Sequence, residues 1–136
     1  MHSLLNYQKW LLIALVAGIA ILAYLAVSDH TDQIGFPLDD AWIHQTYARN
    51  LAERGEWSFV AGQPSGGSTA PLWSALLAAG HVLSRGTPYT WTYLLGLLGL
   101  IGLGLAGEGF FRRETGRGGW LPWAGIFLVG EWHMVW

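Results

Sequence analysis

Two adjacent carboxylates, Asp39 and Asp40, lie at a predicted helix start in the stretch FPLDDAWIHQTYARN, residues 36–50. One aspartate at such a position can accept hydrogen bonds from unpaired backbone N–H groups and complement the helix dipole. Capping leaves the second aspartate unexplained, because adjacent negative charges repel unless a cation or hydrogen-bond donors intervene. The pair therefore raises two chemical hypotheses beside capping.

The first hypothesis is general base catalysis, in which one carboxylate of the pair removes a proton from an acceptor hydroxyl and its neighbour orients it. The second is a divalent cation, Mg²⁺ or Mn²⁺, that the acidic pair holds on a phosphate-bearing substrate, with Asp40 and His44 as the candidate ligands. His44 follows Asp40 by one helical turn, so it can join either site. No cofactor is required by the sequence, and a capping pair of solvated acids remains the third interpretation.

Three nearby side chains, Trp42, His44 and Arg49, are candidates for substrate binding. Trp42 could stack on a sugar ring, although burial among lipid headgroups is the usual role of such a residue. Arg49 could bind a lipid phosphate, or it could pair with Glu53 one turn later. His44 could equally be a polar residue at the membrane interface.

The composition indicates a membrane protein. Of the 136 residues, 52 % are hydrophobic and 12 % are charged, whereas soluble domains average about 25 % charged residues. Nine Trp and nineteen Gly suit interfaces and membrane spans. The absence of cysteine excludes disulfides and Cys-ligated zinc, and the net charge of −2 argues against nucleic acid as a partner.

Three apolar runs have membrane length. Residues 10–27 contain no charge and follow a short N-terminus, 1–9, that we expect to be cytoplasmic. Eighteen helical residues extend about 27 Å, close to a hydrocarbon core, although a signal peptide is the competing interpretation. Residues 89–107 form a second span, and 119–136 begin a further span that the chain does not complete.

Residues 71–84 are short for a span and leave the topology open. If they cross the membrane, Arg112, Arg113 and Arg117 fall outside, against the positive-inside tendency. If they are re-entrant, those arginines fall inside. In both cases residues 28–70 form an outer loop.

The outer loop is predicted to contain an amphipathic helix on the membrane surface. Its apolar side repeats at Ile43, Tyr47 and Leu51. The side predicted to be polar carries Asp40, His44 and Gln45. The predicted fold is therefore an all-α membrane protein with three to four transmembrane helices and an interfacial helix in the first outer loop.

The motif order between residues 36 and 73 resembles the first outer loop of GT-C glycosyltransferases, membrane enzymes that use polyprenyl-phosphate sugars. The look-alikes are of the protein mannosyltransferase, aminoarabinose transferase and arabinofuranosyltransferase type. The motifs are the acidic pair with its aromatic (DDAW, 39–42), a helix (YARNLA, 47–52), a Gly-rich loop (GQPSGGST, 62–69) and PLW, 71–73.

The resemblance implies transfer of a sugar from a polyprenyl-phosphate donor to a hydroxyl acceptor on protein, lipid or glycan. It makes Asp39 the expected catalytic base and Asp40 its partner. It also favours 71–84 as a true span and implies a bacterial or archaeal membrane, with residues 28–70 facing the periplasm or exterior.

GT-C enzymes have about ten or more spans, so the resemblance implies that this chain is an N-terminal piece that is inactive alone. The alternative is a non-enzymatic small membrane protein or an inactive remnant that serves as a subunit or packing partner.

Overall fold

The computed structural model describes residues 2–30, 35–36, 39–83, 89–116 and 121–131, and in the first helix the side chains of residues 7–28. The elements within these ranges are five helices and one β-hairpin: α1 His2–His30, α2 Asp39–Arg54, β1 Ser58–Val60, β2 Gln63–Pro64, α3 Pro71–Leu83, α4 Tyr89–Thr115 and α5 Trp123–Gly130. Several sequence predictions fall outside the described residues: those on Ser84, Arg117, 119–120 and 132–136.

Two of the helices are long and apolar enough to cross a membrane. They are Tyr7–Ser28 within α1, with 22 residues, and Tyr89–Thr115, with 27. The helical class and the presence of membrane-length apolar helices therefore agree with the sequence. The thirteen residues of α3 extend only about 20 Å, and α5 has eight residues. A total of three to four spans stays a prediction.

The described residues form two compact units, one from residues 1–34 and 95–135 and one from residues 35–94. In the first unit α1 and α4 run antiparallel. Ile13 lies against Gly104, and Lys9, one turn earlier, shares a cleft with Glu108, one turn later. The N-terminal end of α1 therefore lies beside the C-terminal end of α4.

The core of the first unit is aliphatic and includes small residues. Its buried members come from α1, α4 and α5: Ile13, Ala17, Ile21, Leu100 and Val129. A Cβ atom on Gly125 would lie 2.6 Å from the carbonyl oxygen of Gly104. The missing side chains thus permit α4 and α5 to approach closely.

Two of the three glycines that the sequence pattern singled out do not make these contacts. Gly96, Gly99 and Gly102 recur every three residues and predict a thin helix face for a neighbouring helix. A Cβ atom on Gly99 or Gly102 would meet nothing within 4 Å among the described residues. The close contacts are instead at Gly104 and at Gly107, which faces Leu128.

We expect Gly104→Ala to destabilise the first unit, because the new Cβ would lie 2.7 Å from Ile13, 2.8 Å from Val129 and 3.2 Å from the Gly125 carbonyl oxygen. Overpacking of this kind costs about 1–3 kcal/mol of unfolding free energy. Gly102→Ala on the same helix is the matched control, since its Cβ enters open space. Thermal unfolding in detergent compares the two variants, and equal unfolding midpoints would contradict the packing described for Gly104.

The second unit is built on α2 and α3, which pack against each other, with the β-hairpin against α2. The hairpin is antiparallel and pairs Ser58 with Pro64 and Val60 with Gln63. Its turn needs Gly62, whose φ of +77° is unfavourable for other residues. The Gly62 N–H donates to Glu56 Oε2 at 2.8 Å, which closes the turn.

Candidate functional site

The buried face of α2 is largely polar. Its buried residues are Ala41, His44, Gln45, Tyr47, Ala48 and Asn50. This differs from the pattern read from the sequence, which placed His44 and Gln45 on the exposed polar side. Periodicity of apolar residues could not reveal that these two side chains have polar partners on other elements.

His44 is held by two serines on the loop and helix that follow. Its Nδ1 lies 2.9 Å from Ser74 Oγ on α3 and 3.3 Å from Ser68 Oγ, and the two serine oxygens are 2.9 Å apart. Ser74 is fully buried and His44 is 7 % exposed. His44 therefore joins α2 to the start of α3 and does not face solvent beside Asp40.

Tyr47 forms hydrogen bonds with the Gly-rich loop, and Asn50 forms hydrogen bonds with the hairpin. Tyr47 Oη accepts a hydrogen bond from the Gly67 N–H at 2.9 Å and lies 2.7 Å from Ser65 Oγ. Asn50 Nδ2 donates to the carbonyl oxygens of Ser58 at 2.9 Å and Phe59 at 3.2 Å. These bonds fix the loop and the hairpin relative to α2.

A third connection joins α2 to α3 and to the start of α4. Gln45 Nε2 donates to Thr92 Oγ1 at 2.6 Å. His81 Nε2 lies 3.0 Å from Gln45 Oε1, which can only accept, so the imidazole N–H is the donor. The side chain of Gln45 is therefore fixed at both of its polar atoms.

Asp39 and Asp40 differ from these anchored residues because both are exposed. They occupy the first turn of α2, where the helix dipole favours negative charge. No hydrogen bond within the described part of the chain engages either carboxylate. Asp40 is close enough to His44 to act on it electrostatically.

A cleft of about 280 Å³ lies along another face of α2. Aromatic, charged and amide side chains line it together: Trp42, Gln45, Thr46, Arg49, Glu53, His81 and Tyr89. Its two charged groups, Arg49 and Glu53, form no ion pair, since among the described residues the only ion pair joins Arg112 to Glu108. Of the two alternatives for Arg49, the pairing with Glu53 is thus not formed.

The aromatic wall of the cleft is supported from behind by Phe36. The Phe36 ring centroid lies 5.2 Å from that of Trp42 and 5.5 Å from that of Tyr89. The Trp42 and Tyr89 rings meet edge to face at 6.3 Å and 80°. Trp42 is still 43 % exposed, so it presents a fixed aromatic surface toward the solvent.

Helical spacing aligns Asp39 with this cleft. Four of the five α2 residues that line it are separated by four, three and four positions: Trp42, Thr46, Arg49 and Glu53. Asp39 precedes Trp42 by three positions and so continues the same stripe toward the helix start. Asp40 is rotated by about 100° from Asp39 and falls on the side of α2 that carries His44.

The structure therefore divides the predicted site residues. Trp42 and Arg49 come together in the cleft, with Asp39 heading their stripe, whereas His44 belongs to the serine cluster on another side of α2. For a metal at Asp40 and His44, the described residues supply no third His, Asp or Glu to complete a group of three. The cation site stays a prediction.

Several lining residues were not singled out from the sequence. Thr46 and Glu53 could have been found by extending the stripe from Trp42 through Arg49. Gln45 lies beside that stripe but was assigned to the exposed polar side. His81 and Tyr89 come from other elements and carry no signal that links them to α2.

Comparisons with known proteins add no further constraint. No family model matches the chain, and no curated protein or solved structure is significantly similar to it.

Burial lowers the pKa of His44 below its ordinary value of 6.5, and the charge of Asp40 offsets part of this effect. Below about pH 6.5 the unfolded chain therefore binds more protons at this residue than the folded chain. We expect stability to fall as pH decreases from 6.5 toward the lower folded pKa. Thermal unfolding between pH 7.5 and 5, with His44→Gln as the comparison, measures this contribution. An unchanged pH slope in the variant would contradict it.

Proposed function

We propose that the chain carries the catalytic outer loop of a membrane glycosyltransferase of the GT-C type, which transfers a sugar from a polyprenyl-phosphate donor to a hydroxyl acceptor. The proposal rests on a polar and aromatic cleft along α2 and on helical spacing, which puts the exposed Asp39 three positions before Trp42 at the start of the same stripe. A base and a binding surface on one rigid helix are what a direct displacement needs.

The chemistry is a single displacement at the anomeric carbon. The acceptor hydroxyl oxygen attacks that carbon while the Asp39 carboxylate takes the hydroxyl proton. The bond between the anomeric carbon and the donor phosphate oxygen breaks, and the polyprenyl phosphate leaves with the electron pair. Asp40 adds negative charge at the helix start, where the dipole stabilises both carboxylates.

The cleft supplies groups suited to a sugar phosphate. Trp42 and Tyr89 offer aromatic surfaces against which the C–H face of a sugar ring packs. Thr46 and Glu53 can bond hydroxyl groups, and Arg49 offers a guanidinium group that matches phosphate geometry. The volume of about 280 Å³ suits a small ligand rather than a polymer.

The antiparallel arrangement of α1 and α4 supports the placement of this loop at a membrane surface. If both helices span, the chain between them begins and ends on the same side, so α3 is re-entrant and departs from the true span that the GT-C resemblance favours. Lys9 and Arg112 then lie on the opposite side, which the positive-inside tendency makes cytoplasmic. Residues 28–70 accordingly face the periplasm or exterior, where a lipid-linked sugar is presented.

Asp39→Asn should reduce transfer about 10²–10⁴-fold, because the amide cannot accept the proton. The assay follows radiolabelled pentoses and hexoses from polyprenyl-phosphate donors in membranes containing the protein as its gene encodes it. Asp40→Asn is the matched control and should lose less activity. Full activity of Asp39→Asn at normal expression would identify Asp39 as a helix cap and reject this mechanism.

Arg49→Gln should raise the KM for the lipid-linked donor about tenfold or more, since a charge-assisted hydrogen bond to phosphate is worth about 1.5–3 kcal/mol. Arg54→Gln is the control: it removes the same charge from the same helix, and Arg54 does not line the cleft. An equal rise in KM for both variants would point to general attraction of the anionic donor instead of a site at Arg49.

A further inference from the structure

We infer that the first unit binds one anionic phospholipid between α1 and α4, at the end where Lys9 and Arg112 line a common cleft. A cleft of about 220 Å³ lies there, and the residues that matter are Lys9, Trp10, Ile13, Leu105, Glu108 and Arg112. The inference does not depend on the proposed enzymatic function.

The first argument is the order of side chains along the helices. Lys9 and Arg112 lie at one level, at the beginning of the α1 span and toward the end of α4. Ile13 on α1 and Leu105 on α4 line the same cleft one to two turns deeper. A cationic mouth above an apolar interior matches a phosphate headgroup above its acyl chains.

The second argument is the charge balance. Arg112 Nε and Glu108 Oε1 form an ion pair at 2.6 Å, and Glu108 Oε2 accepts a 3.3 Å hydrogen bond from the Gly125 N–H. Glu108 is thereby neutralised within the unit. Lys9 is only 8 % exposed and has no carboxylate partner among the described residues. The three charged groups sum to +1, which complements the single negative charge of a phosphodiester.

The third argument is the shape of the site. Gly109 lines the cleft on α4, and a Cβ atom on it would meet nothing within 4 Å. Trp10 lies at the mouth with 58 % of its surface exposed, in the position of a headgroup-level anchor. The cleft is therefore open on the side where lipid would enter.

The test uses nanodiscs with equal amounts of phosphatidylglycerol and phosphatidylcholine, and native mass spectrometry counts the lipids retained by the protein. The wild type should retain phosphatidylglycerol preferentially. Lys9→Gln should reduce this preference about fivefold, the contribution of one cation at the surface. Lys9→Arg, which keeps the charge, should restore it.

Arg113→Gln is the matched control, because Arg113 is an exposed cation next to Arg112 that does not line the cleft. An equal loss of the phosphatidylglycerol preference in Lys9→Gln and Arg113→Gln would indicate diffuse electrostatic attraction instead of a defined site. The absence of any preference in the wild type would also overturn the proposed lipid site. A second measurement, thermal unfolding in nanodiscs of phosphatidylcholine alone, distinguishes a lipid from a free phosphate as the ligand. If millimolar inorganic phosphate stabilises the wild type but not Lys9→Gln, the site takes a free phosphate rather than a lipid.

Discussion

The second unit depends on the hydrogen bonds that satisfy the buried polar face of α2. His44, Tyr47 and Asn50 lie one turn apart, and each joins α2 to a different part of the chain that follows. A buried polar group without a partner costs about 1–3 kcal/mol, so these bonds restrict the loop to one arrangement. Ser58 Oγ is the exception, since it is buried and has no partner within the described residues.

This constraint determines what the remaining faces of α2 can do. His44, Tyr47 and Asn50 form hydrogen bonds with α3, the loop and the hairpin. These elements therefore cover that side of α2, and the stripe from Asp39 to Glu53 stays on the side of the open cleft. The polar residues inside the unit hold the helix, and the polar residues along the cleft are available to a ligand. The two sets alternate in sequence, and only their angular positions on the helix separate them.

The first unit, by contrast, is held together chiefly by apolar packing between helices. Its helices meet through small residues and aliphatic side chains, and Gly104 and Gly125 allow backbone approach that any side chain would prevent. The buried Glu108 is acceptable in this apolar setting because an arginine and a backbone N–H both engage it. Glu108 shares its cleft with Lys9 and Arg112.

The sequence by itself determined the helical class, the two membrane-length apolar helices and the acidic pair at the start of α2. These features are local, because apolar run length and helix-start chemistry depend on residues close together in the chain. Only the tertiary structure decided that His44 and Gln45 are buried, that Gly104 rather than Gly102 makes the close contact, and that His81 and Tyr89 join Trp42 and Arg49. Such facts depend on which partner lies opposite a given helix face. A periodic pattern identifies the faces of a helix, but the choice among them is made by contacts between elements that are distant in sequence.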